Sequence, residues 1–109
     1  MPKNTVSAIL LTTLASSAVT AGYQPINPLG LEGACFLLRI INNSNQTITI
    51  SLDGVIDNDI LFTDTTLNLP SQLNSQPNNQ TCLFPIGQRI YVKGTNGTGN
   101  VYLAGYYQK

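Results

Sequence analysis

The chain of 109 residues is long enough for one domain around a single modest core, yet only 9% of it is charged, where soluble domains carry about a quarter. The formal net charge is +0, and the five basic residues are scattered at Lys3, Arg39, Arg89, Lys93 and Lys109, which argues against phosphate-driven nucleic-acid binding and against docking on an anionic membrane. Trp and His are both absent, so the commonest general base and the commonest metal ligand are missing.

The opening segment carries features of a secretory signal: Lys3, the apolar run Val6 to Leu14, and the small-residue site Val19-Thr20-Ala21. Thr12, Thr13, Ser16 and Ser17 interrupt that run, which reads better as a strand over Thr5 to Leu14. A transmembrane helix would need roughly twenty apolar residues, and no such run exists. A second strand is expected over Ala18 to Ile26, followed by the turn Asn27-Pro28-Leu29-Gly30.

Cys35-Phe36-Leu37-Leu38-Arg39-Ile40-Ile41 is apolar on both faces except at Arg39, as for a strand that is central or covered by a partner. Phe36, Leu38 and Ile40 are its candidate contact residues. After the turn Asn42-Asn43-Ser44-Asn45, the run Gln46 to Leu52 alternates with a period of two. Ile48, Ile50 and Leu52 share one face, and Thr47, Thr49 and Ser51 share the other.

Asp53-Gly54 is a turn, and Asp59 to Phe62, Thr65 to Leu69 and Gln80 to Phe84 are further strand candidates, with Gln76-Pro77-Asn78-Asn79 as a turn between the last two. Arg89 to Lys93 places Ile90 and Val92 inward. Val101 to Tyr107 sets Val101, Leu103, Gly105 and Tyr107 against Tyr102, Ala104 and Tyr106. About eight short strands within residues 1–109 predict a single all-β domain, a small antiparallel β-sandwich or jelly roll.

Each chemical motif has a plainer structural reading. Gly94-Thr95-Asn96-Gly97-Thr98-Gly99 is glycine-rich, but it enters a strand and lacks the Lys-Ser/Thr pair of a phosphate loop. It is expected to close a tight hairpin between Arg89–Lys93 and Val101–Tyr107. Asp53, Asp57, Asp59 and Asp64 fit no calcium loop and no paired-acid spacing, and read as turn and loop residues.

Cys35 and Cys82 are the only cysteines and lie too far apart in sequence for a redox motif. They are expected as free thiols. The four Asn-X-Ser/Thr sequons arise by chance in so Asn- and Thr-rich a chain. Tyr91, Tyr102, Tyr106 and Tyr107 could stack on a sugar or anchor a subunit interface, and the interface is the preferred reading. The Asn, Gln, Thr and Ser crowding Asn42 to Thr49 and Ser71 to Thr81 suits a neutral surface packed against neighbours, where burying charges would be costly.

Three groups of residues carry a family resemblance. They are Phe36-Leu37-Leu38-Arg39-Ile40-Ile41-Asn42-Asn43-Ser44-Asn45 with Thr47-Ile48-Thr49-Ile50-Ser51-Leu52-Asp53-Gly54, then Ile90-Tyr91-Val92-Lys93-Gly94-Thr95 with Gly97-Thr98-Gly99, and Val101-Tyr102-Leu103-Ala104-Gly105-Tyr106-Tyr107-Gln108. In order and spacing, with Tyr23-Gln24-Pro25-Ile26-Asn27, they resemble a family of small virion structural proteins of tailed bacteriophages. The resemblance implies a jelly-roll-like body, no catalytic residues, no cofactor or metal, and an opening strand over Val6 to Leu14. It also implies a place in the virion, assembled in the host cytoplasm. The expected role is capsid decoration, or a neck or collar element anchoring fibres. The expected partners are further copies of the chain and larger capsid, portal, neck or fibre proteins. A carbohydrate-binding or host-attachment module is the alternative.

Overall fold

Each strand has one apolar face to hide, and two sheets hide these faces against each other. The computed structural model describes residues 5–70 and 83–108. Their strands are β1 (Val6–Ala8), β2 (Thr12–Ala15), β3 (Gln24–Pro25), β4 (Cys35–Ser44), β5 (Ile48–Ser51), β6 (Asp59–Leu61), β7 (Thr65–Pro70), β8 (Tyr91–Gly94) and β9 (Gly99–Gln108). One sheet runs β1-β9-β4-β7 with β2 also on β9, and the other runs β3-β8-β5-β6, all pairs antiparallel. We call them the first and second sheets. With β1 and β2 counted as one interrupted strand, the chain is a long hairpin wrapped on itself, first strand with last and so inward. That is jelly-roll order.

The core lies between the layers. Leu38, Ile40, Val101 and Leu103 meet Ile48, Ile50, Ile90 and Val92, all fully or nearly fully buried, with Ile26, Leu31 and Cys35 at one end. Every strand but one pair therefore crosses to the opposite sheet. Only β5 and β6 are consecutive strands that pair as a hairpin.

The glycine-rich loop does not close a hairpin as expected. β8 pairs with β5 and β3, β9 pairs with β4, and the loop carries the chain from one sheet to the other. Alternation alone marks an inward face without saying which sheet owns it. Both Ile90/Val92 and Val101/Leu103 point inward, from opposite layers. The crossing is held by Thr98 N–H donating to Asn45 Oδ1 at 2.9 Å and by Gly97 N–H to the Ser16 carbonyl at 3.2 Å. Gly99 is required there: it has φ +96, and a Cβ would stand 2.2 Å from the Asn43 carbonyl oxygen.

Two expected strands are shorter than the sequence indicates. The opening segment does pair with β9, but six steps along it, Val6 to Thr12, match only five on β9, Gln108 to Leu103. The extra residue is a bulge, whose Leu10 N–H donates to Glu32 Oε1 at 2.8 Å and which leaves Leu10 and Leu11 exposed. Ala18 to Ile26 keeps only Gln24–Pro25 as strand. A 3-10 turn occupies Ser16–Ala18, and Pro25 has no N–H to extend a ladder. Of the candidate Gln80 to Phe84, Phe84 makes an isolated bridge to Cys35, while residues 80–82 lie outside the described residues, as does the turn at 76–79. Cys35 is buried with a free thiol that burial pushes up, and Cys82 is outside the described residues.

Asn42, read from sequence as a turn residue, continues the inward row Leu38, Ile40, Asn42 of β4 and has 0% exposure. Its Nδ2 donates to the carbonyls of Gln46 (2.9 Å), Leu61 (3.1 Å) and Phe62 (3.1 Å), and its Oδ1 accepts from Ser44 Oγ at 2.5 Å. One amide thus ties together the β4-to-β5 and β6-to-β7 crossings. Asn42→Ala strands those buried groups and is expected to cost about 3 kcal/mol by urea unfolding. The same change at exposed Asn43 is expected to stay within about 0.5 kcal/mol.

Candidate interaction surface

The two outer faces of the sandwich are finished differently. On the second sheet, Tyr91 and Lys93 of β8 point outward, and the β5–β6 hairpin folds back over them. Gly54, with φ +79, sits against the Tyr91 ring so closely that a Cβ would lie 3.2 Å from it. Farther along the hairpin, Asp57 accepts from the Tyr23 hydroxyl and from Lys93 Nζ at 2.9 Å, and Lys93 lies 4.7 Å from the Tyr23 ring centroid. Tyr23 and Tyr91 therefore each meet a group of the hairpin or of β8, and both stay half-buried.

The hairpin owes its shape to Asp53. Its Oδ1 accepts from Ser51 Oγ (2.8 Å), Val55 N–H (2.9 Å) and Ile56 N–H (3.0 Å), while Asn58 Oδ1 accepts from Leu52 N–H at 2.8 Å. The two amides and the hydroxyl hold the Asp53 carboxyl down at about 2. The Tyr23 hydroxyl and Lys93 lower Asp57 as well. Burial and the neighbouring Asp57 carboxylate push the Tyr23 phenol up to about 12. Of the other carboxylates, Asp59 caps its own strand through Ile60 N–H, and Asp64 stands at the β6–β7 corner with φ 55. Among the described residues, no three His, Cys, Asp or Glu side chains gather where they could hold a metal ion.

Among the described residues, no hairpin folds over the outer face of the first sheet. β9 presents Tyr102, Ala104 and Tyr106, and β4 presents Leu37, Arg39 and Ile41, with cross-strand pairs Leu37–Tyr106, Arg39–Ala104 and Ile41–Tyr102. All six are half-buried. A groove of about 370 Å³ runs along one end, lined by Leu11, Ile41, Asp64, Thr66 and Tyr102 among others. Arg39, near the middle of the face, has no hydrogen bond or ion pair among the described residues. The one ion pair there is Lys93–Asp57.

The expected contact residues divide accordingly. Tyr102 and Tyr106 stand together on the open face. Tyr107 is partly buried against the core, its ring against Gly33, and Tyr91 lies beneath the hairpin. Leu38 and Ile40, expected at a contact, have 0% exposure and fill the core instead. Phe36 sits at the register shift between Cys35 and Leu37, half-buried. Leu37, Arg39 and Ile41 are the outward residues that sequence reasoning passed over. Both parities of this strand are apolar, and the charge on Arg39 was the one signal marking the solvent side.

No family model, curated protein or solved structure matches this chain.

Asp53 and Asp57 are more acidic folded than unfolded, so the stability they confer is complete above about pH 4 and is lost as pH falls toward 2. Urea midpoints are expected to drop through that window. Asp53→Asn, which keeps an acceptor oxygen without the charge, is expected to flatten the drop.

Proposed function

We propose that the chain is a non-enzymatic structural component of a bacteriophage particle, acting through contacts with its own copies and with larger shell or neck proteins. The observation that carries this reading is the unequal finish of the two faces. One meets the chain's own hairpin, and the other offers two tyrosines and three apolar neighbours around Arg39, with Asp64 at its margin. Tyrosine-rich, charge-poor faces of this kind suit protein–protein contacts. A second apolar group, Val55, Ile56, Ile60 and Phe62, is exposed on the hairpin and the β6 edge, and gives the molecule a separate place to meet a different neighbour. Amide and hydroxyl side chains around both can form hydrogen bonds without burying charge.

The phage assignment itself rests on the sequence resemblance. Capsid decoration and a neck or collar position both accommodate a small sandwich with two contact regions. A glycan-binding or host-attachment module is the alternative, since Tyr102 lines a groove and could stack on a sugar ring. A thermal-shift screen against glycans and calcium separates the two, because only the alternative expects stabilisation.

Mass spectrometry of purified particles is expected to find this chain at a fixed copy number. Hundreds of copies would indicate decoration, and tens a vertex or neck position. Its absence from particles that infect normally would overturn the proposal.

A further inference from the structure

We infer that the open face of the first sheet is an isologous interface between two copies of this chain, with Arg39 of each copy paired to Asp64 of the other. This deepens the assembly reading above by naming the face and its partner.

Among the described residues, Arg39 and Asp64 are the charged residues placed on this face, and they have opposite sign. Asp64, at the mouth of the groove, shares with Arg39 the absence of any hydrogen bond or ion pair among the described residues. They cannot satisfy each other within one copy. Arg39 pairs in register with Asn68, four residues along β7 from Asp64, which separates the two backbones by roughly 14 Å. A second copy removes the difficulty. A two-fold axis lying in the plane of the face, midway between Arg39 and Asp64, exchanges them and forms two identical pairs at once.

The residues near that midpoint are Ile41, Thr66 and Tyr102, so the axis falls on the apolar and aromatic part of the face. Arg39, Ile41 and Tyr102 are thereby covered together, and the guanidinium gains a carboxylate where desolvation would otherwise be costly. On the second sheet, Lys93 and Asp57 are already paired within the copy. Asp64 also has a conformational reason to stand there: φ 55 is a left-handed backbone that Asp and Asn tolerate better than most side chains.

Charge exchange on the isolated full chain tests the pairing, with sedimentation velocity across a concentration series as the readout and circular dichroism confirming each fold. The native chain is expected to dimerise. Arg39→Glu and Asp64→Lys should each weaken association by about tenfold or more, since each sets like charges face to face twice. The double variant Arg39→Glu/Asp64→Lys should recover most of the native affinity. Asp64→Asn, which keeps the left-handed tolerance, should weaken the dimer and blunt its salt dependence, and it serves if Asp64→Lys fails to fold.

A native chain that stays monomeric throughout overturns the inference, as does a dimer indifferent to both single reversals or one the double variant does not restore. None of these outcomes bears on whether the chain is present in particles, which mass spectrometry reads separately.

Discussion

The buried amide of Asn42 is the constraint on which the rest of the structure depends. A jelly roll must carry its chain between two sheets several times, and each crossing leaves backbone carbonyls that no strand ladder satisfies. Asn42 collects three of them, from Gln46, Leu61 and Phe62, at the point where β4 leaves for β5 and β6 leaves for β7. Asn27 performs a similar task where β3 leaves for β4, donating to the Gln88 carbonyl and accepting from Ile90 N–H. The abundance of Asn, which in the sequence resembles surface decoration, is in part the means by which the corners are closed.

Closing the corners this way fixes which faces remain open. The β5–β6 pair is the one hairpin between consecutive strands. Its long turn, shaped by Asp53 and anchored by Asp57 on Tyr23 and Lys93, lies back on the second sheet. Among the described residues no connection crosses the outside of the first sheet, where Tyr102, Tyr106, Leu37 and Ile41 stand half-buried. The sheet edges are guarded by other means. The β1–β2 edge is broken by a bulge, β3 is two residues ending in Pro25, and β7 ends in Pro70. These three edges are poorly suited to strand addition, which leaves the faces of the sandwich and the apolar β6 edge for association.

Much of the fold is legible in the sequence because period-two alternation is a strong signal. The runs 48–51, 91–94 and 99–108 carry it, and Ile48, Ile50, Val92, Val101 and Leu103 point inward as it indicates. Leu52, by contrast, is exposed, and Ser51, of the opposite parity, is buried beneath the hairpin turn it helps to hold. Sheet membership is not legible, since Ile90/Val92 and Val101/Leu103 have the same pattern in opposite layers. That is why the loop at 94–99 reads as a hairpin when it is a crossing. The contact surface is half legible. Tyr102 and Tyr106 follow from alternation along β9, whereas Leu38 and Ile40 belong to a strand apolar on both faces, where only Arg39 indicates which way is out. The role of Asn42 has no local signature. It depends on carbonyls four, nineteen and twenty residues away coming together at one corner.

Hydroxyl-radical footprinting of the five tyrosines, on dilute and concentrated samples of the isolated chain, tests the role of the open face most directly. Tyr102 and Tyr106 are expected to lose reactivity as the chain associates, while Tyr23 and Tyr91 react to the same extent in dilute and concentrated samples. Association that leaves Tyr102 and Tyr106 as reactive as before would contradict it.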